Sequence, residues 1–122
     1  MTTLVHDKDG TKIVEVFGEG IFIRSPQDAV QLMMDIAAEG CRKIILHQEN
    51  ITPEFFDLKS RLAGEILQKF ANYSIQLAIV GNFVDVKSES LRAFIIESNR
   101  GRHVFFANEF AVAYSLLISR NI

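Results

Sequence analysis

Three polar groups carry the side chains in this sequence that could do chemistry. His47, Glu49 and Asn50 lie within four positions of one another, Asn82 and Asp85 form a second group, and Asn108 stands alone in a third. Imidazole titrates near neutral pH, and a carboxylate beside it can fix its tautomer, so a histidine near Glu49 or Asp85 has the minimum equipment for acid–base work. A ligand site built this way would use His47, Glu49, Asn50 and Asn82. The same residue types also have plain roles: asparagines cap helices and close loops, and a histidine at a strand end bonds backbone groups. No serine or cysteine sits in a recognisable nucleophile elbow, which argues against an enzyme and leaves no catalytic residue to name.

Metal and cofactor signals are weak. His6, His47, His103 and Cys41 fall in no CxxC, HxxxH or HExxH spacing, so neither a metal nor another cofactor is expected. Residues 7–10 (Asp-Lys-Asp-Gly) resemble the first half of a calcium loop. In that register, however, Lys12 takes the place of the obligatory glycine and Gly18 that of the bidentate glutamate, so the segment reads as a turn. Gly18-Glu19-Gly20 lacks the later glycine of a phosphate cradle. Arg100, Arg102 and His103 make a small basic group at a helix end, where cations favour the dipole.

Composition sets the frame for these residues. The chain has 122 residues, 48% of them hydrophobic, and 13 Lys and Arg against 15 Asp and Glu leave a net charge of −2. Such a chain suits a single domain spanning residues 1–122 with its own core. Its near-neutral charge supplies no field for nucleic acid. One cysteine and no signal-like or membrane-spanning apolar run lead to the expectation of a cytoplasmic protein that uses no membrane.

The elements that must hold the polar groups follow from periodicity. Two β-rich runs within residues 4–17 flank Asp9-Gly10 and predict a hairpin. Residues 21–23 are a third strand or a continuation past a bulge. Ser25-Pro26 starts a helix whose Ala29, Leu32, Met33, Ile36 and Ala37 form one stripe and which Gly40 stops. Residues 43–47 read as a buried strand. Leu58, Leu62, Ile66 and Phe70, four apart after Thr52-Pro53, predict one long helix or two abutting ones over residues 53–72, with Gly64 marking close packing or a bend. Residues 75–80 form a strand. A helix from Ser88 or Glu89 carries Leu91, Phe94, Ile95 and Ser98 on one face up to Gly101, and residues 103–107 form the last strand. Asn108 caps a final helix with Phe110, Tyr114, Leu117 and Ile118 on one side. The result is an α/β fold: a mixed sheet with an N-terminal β-hairpin, then alternating helices and strands with about four helices. A site would lie past the carboxyl ends of the parallel strands, where open sheets leave a crevice.

The order of strand 43–47, a loop, residues 55–70 and strand 75–80 resembles the STAS domain of anti-sigma-factor antagonists. Residues 89–117 resemble that family's closing helix–strand–helix. The chain as a whole is similar to an uncharacterised bacterial family of short α/β domains, which implies a fold and no established activity. The STAS resemblance implies an Asp-Ser-Ser/Thr-Gly motif whose hydroxyl a partner kinase phosphorylates, altering docking by added charge. Here Asp57 matches the aspartate, Leu58 and Lys59 stand at the hydroxyl positions, and Ser60 falls at the glycine. Ser60 is then either a displaced equivalent or an ordinary surface serine.

Phe83, Val84, Asp85 and Val86 are apolar for a loop, and with Phe55-Phe56 they either cover the sheet edge as core or form a patch for a partner. The first expectation is therefore a noncatalytic regulatory or protein-interaction module. It would dock another protein or a second copy of itself through residues 51–61 and 82–86, using Asp57, Lys59, Ser60, Phe83 and Asp85. The alternative is a small-molecule binder or enzyme with the polar site around His47.

Overall fold

A computed structural model describes residues 1–121. Its first two strands, β1 (Thr2–Lys8) and β2 (Thr11–Phe17), pair antiparallel with Lys8 opposite Thr11. Asp9 (φ 53°) and Gly10 (φ 88°) both occupy the left-handed region, as a two-residue type I′ turn requires. The Asp7 carboxylate accepts from the Gly10 N–H and holds the turn. From β2 onward the strands run parallel: β3 (Lys43–His47), β4 (Gln76–Val80) and β5 (Val104–Ala107), in the spatial order β1-β2-β3-β4-β5. Residues 21–23 are not a strand; Ile23 alone makes an isolated parallel bridge to Ile51.

The helices are α1 (Pro26–Ala38), α2 (Leu62–Tyr73), α3 (Glu89–Arg100) and α4 (Phe110–Ser119). Ser25 caps α1 by accepting from the Asp28 N–H, and the stripe Ala29, Leu32, Met33 and Ile36 is buried on the sheet. Leu62, Ile66 and Phe70 of α2 bury against the same face, where Phe94 and Ile95 of α3 also pack. The opposite face, formed by Ile13, Ile45, Ala78, Phe105 and Ala107, is covered by α4 through Phe110, Ala113, Tyr114 and Leu117. Three helices on one face and one on the other give a three-layer α/β domain. This topology is consistent with the STAS-like arrangement.

Two further expectations about the helices need correction here. Residues 53–72 form neither one long helix nor two abutting α-helices, because short 3-10 turns at Pro53–Phe56 and Leu58–Ser60, after another at Gln48–Asn50, precede α2. The break is Arg61, held left-handed at φ 66°. Thr52-Pro53 therefore does not start α2: Arg61 stands at its N-cap without a side-chain cap, and the Ser60 hydroxyl accepts from the Leu62 N–H at 3.2 Å. Gly64 marks neither close packing nor a bend: it is exposed, and a Cβ there would meet nothing within 4 Å.

Candidate functional site

Parallel strands present loops at their carboxyl ends, and a crevice opens there when neighbouring crossovers leave toward opposite faces. Here the crossovers from β2 to β5 all carry their helices to one face, and the loops close over the edge. Gly81, just past β4, is the tightest point. A Cβ there would stand 2.3 Å from Gln48 Oε1, 2.7 Å from Gln48 Cβ and 2.9 Å from the Phe83 ring. Gln48 Oε1 accepts from the Asn82 N–H at 3.0 Å, and Asn108 Oδ1 accepts from the Phe83 N–H at 2.8 Å. Asn108 therefore ties two loops together, and Glu109 stands at the N-cap of α4 where Asn108 was expected. The Phe83 ring packs edge-on against Phe106 at 5.4 Å and meets Phe56 at 6.0 Å, while Phe56 leans on buried Phe55.

These contacts join residues 51–61 to residues 82–86 in one continuous surface. Phe83 is half-buried and belongs to the core margin, whereas Val84, next to it, is 70% exposed. Asp85 and Glu49 are exposed and make no side-chain hydrogen bond or ion pair among the described residues. Asp57 caps a 3-10 turn by accepting from the Lys59 N–H, and Lys59 is exposed on that turn. The Ser60 Oγ contacts the carbonyls of Glu54 and Asp57, each at 2.7 Å. Asn50 is buried: its amide donates to the carbonyls of Gly18 and Gly20, both at 2.9 Å, and pins the loop after β2.

His47 is brought to a different carboxylate from the ones its sequence neighbours suggest. Its Nε2 lies 2.8 Å from Glu15 Oε2, and His6 Nε2 lies 3.1 Å from Glu15 Oε1. Period-two alternation places His6, Glu15 and His47 on the α4 face of three adjacent strands. The residues directly opposite Glu15 are Leu4 and Ile45, both apolar, so its polar partners reach it along the diagonals of the sheet. Side-chain exposures of 26%, 16% and 24% for His6, Glu15 and His47 leave the group only partly screened by solvent. Phe110 and Tyr114 of α4 stand over the His6 ring at 5.2 and 6.0 Å. With both Nε2 atoms turned to Glu15, each imidazole keeps Nδ1 for a proton or a ligand. Among the described residues no group of three or more His, Cys, Asp or Glu side chains is placed to hold a metal ion.

Glu15 was missed because strand order joins it to His6 and His47. Its signal was a lone carboxylate two positions after core residue Ile13, inside the otherwise apolar run of residues 13–17. Other features lie away from this edge. A hollow of about 520 Å³ runs between α1 and α2 beside Gly64, and another of about 280 Å³ runs between α2 and the end of α3. At the opposite end of β3, Lys43 Nζ donates to the carbonyls of Leu117 and Arg120 and so caps α4, and burial lowers its pKa below the ordinary lysine value.

Fold and surface define a small α/β domain with a STAS-compatible sheet, a closed carboxyl edge and a His–Glu–His group on its α4 face. Residues 8–117 match the family described as Domain of unknown function (DUF4180), and the chain belongs to that family. No curated protein and no solved structure matches it. Among the described residues no helix is long and apolar enough to cross a membrane.

Proposed function

We propose that this chain is a noncatalytic regulatory or protein-interaction module of STAS-like fold that docks a partner protein through residues 51–61 and 82–86. The observation that carries this reading is the way the carboxyl edge is built. Gln48, Asn108 and Phe83 fill the place of a substrate crevice and tie down the start of the loop, while Val84 is 70% exposed on it. An apolar side chain that follows directly on a braced loop start loses less ordering entropy on binding than one on a free loop, which suits an anchor at an interface. Charged Asp57, Lys59 and Asp85 on the same edge supply a polar rim.

The test is parallel affinity purification from the native host with the wild type, Val84→Asp and the remote variant Met34→Asp on α1. A protein recovered with the wild type and Met34→Asp but lost with Val84→Asp supports the reading. Equal recovery with all three, or with none, contradicts it.

The His6–Glu15–His47 group favours a second reading, a small-molecule site on the α4 face. Two imidazoles sharing one partly buried carboxylate offer hydrogen-bonding groups to a polar ligand. A metabolite that raises the melting temperature of the wild type but not of His47→Ala supports it, and a panel with no such compound removes it.

A further inference from the structure

The two edges of the sheet are finished differently. At β5, Asn99 of α3 acts as a stand-in strand: its Oδ1 accepts from the Phe106 N–H at 2.7 Å and its Nδ2 donates to the Phe106 carbonyl at 3.1 Å. That edge is closed at Phe106, and Val104 beside it is buried. At β1 nothing seals it. The type I′ turn makes Lys8–Thr11 the hydrogen-bonded closing pair. Alternation along an antiparallel ladder then turns the backbone of His6, Leu4 and Thr2 toward β2, and that of Thr3, Val5 and Asp7 outward. No backbone or side-chain hydrogen bond reaches those outward groups among the described residues.

The side chains of β1 are as unpartnered as its backbone. Leu4 is 49% and Val5 48% exposed, on opposite faces of the sheet. Proteins usually blunt such an edge with charge, proline or a bulge, but residues 2–6 carry no Asp, Glu, Lys, Arg or Pro, and the β1–β2 pairing runs without interruption.

We infer that β1 pairs antiparallel with β1 of a second copy, about a two-fold axis through Val5, to make one continuous sheet of two five-stranded halves. The strand's own sequence selects that occupant and that register. With Val5 opposite Val5, all of Thr2–Lys8 is paired, and the outward groups of Thr3, Val5 and Asp7 meet those of Asp7, Val5 and Thr3 of the other copy. Side chains then face one another as Thr3 with Asp7, Leu4 with His6 and Thr2 with Lys8. A hydroxyl meets a carboxylate, and no like charges oppose. Shifting the register by two residues toward the turn would put Val5 against Asp7. The two-fold keeps the α4 faces on one side, so Leu4 of each copy covers the His6 ring of the other, beside Glu15. Because Asn99 seals β5, the association closes at two copies instead of growing into a fibre.

The experiment is sedimentation over a wide concentration range on the wild type, Val5→Pro, Thr3→Glu and Thr3→Lys, with amide hydrogen exchange on the wild type. Val5→Pro removes only an outward N–H, so the β1–β2 ladder survives. Thr3→Glu sets like charges opposite Asp7 at two symmetric places and weakens the dimer about tenfold or more, whereas Thr3→Lys holds or tightens it. The expected result is a wild-type dimer, a monomeric Val5→Pro of unchanged circular dichroism, and opposite effects of the two Thr3 changes. Thr3, Val5 and Asp7 amides gain protection with concentration, while Leu4 and His6 are protected throughout. A wild type that stays monomeric at the highest reachable concentration overturns the inference and leaves the edge to a foreign strand. Equal weakening by Thr3→Glu and Thr3→Lys, or concentration-dependent protection outside β1, overturns it as well. Loss of the Val84-dependent partner alone would leave this dimer intact, so the two proposals fail separately.

Discussion

Gly81→Ala tests whether the carboxyl edge is closed. The added methyl would lie 2.3 Å from Gln48 Oε1, 2.7 Å from Gln48 Cβ and 2.9 Å from the Phe83 ring. The oxygen is the end of a flexible side chain and can swing away, at the loss of its bond to the Asn82 N–H, about 0.5–1.5 kcal/mol. The Cβ of Gln48 and the Phe83 ring cannot, because one is fixed to the backbone and the other is wedged against Phe56 and Phe106. Overpacking of this kind costs about 1–3 kcal/mol. The sum, roughly 2–4 kcal/mol, corresponds in a 122-residue chain to a fall in melting temperature of about 8–15 °C. Urea titration and differential scanning calorimetry read it directly. A fall below about 2 °C, within the range of ordinary surface substitutions, would refute the closed edge and reopen the crevice.

Other substitutions probe the supports around this edge. Gly64→Ala meets open space inside a helix and should stabilise the fold by up to about 1 kcal/mol, seen as a higher urea midpoint at unchanged slope. Asn99→Ala strips both partners from the buried Phe106 backbone, so a loss of about 1–3 kcal/mol is expected, with concentration-dependent light scattering as the unsealed edge is exposed. Burial lowers the Lys43 pKa, so between that lowered value and the ordinary one the folded state holds fewer protons than the unfolded chain. Stability of the wild type relative to Lys43→Met should therefore rise with pH across that alkaline window and stay flat below it; a relative fall on going alkaline in urea titrations would contradict the sign. Ser60→Ala removes the acceptor for the Leu62 N–H and should cost about 1 kcal/mol, without the larger loss expected of a core residue.

Much of the architecture could be read from local chemistry. Asp9-Gly10 specifies its own turn, Ser25-Pro26 its own helix start, and the apolar runs of β3, β4 and β5 need no information beyond burial on two faces. Residues 53–61 were misread because Leu58 and Leu62 keep helical spacing across a break. The turn there depends on Ser60 reaching back to backbone carbonyls and on Phe55 and Phe56 packing toward Phe106 and Phe83, the latter partners distant in sequence. Asn108 was assigned to its own helix by proximity, although its carbonyl oxygen serves Phe83 on another loop. The site divides the same way. That His47 stands at a strand end was legible, whereas its partner Glu15 is 32 positions away and becomes a neighbour only through parallel pairing of β2 with β3.

The docking reading is tested most directly by a photo-crosslinking side chain placed at residue 84 in native host cells, with the same group at exposed residue 34 on α1 as control. The account predicts a covalent adduct with one specific protein from residue 84 and none from residue 34. No adduct at residue 84, or the same adducts from both positions, would contradict it.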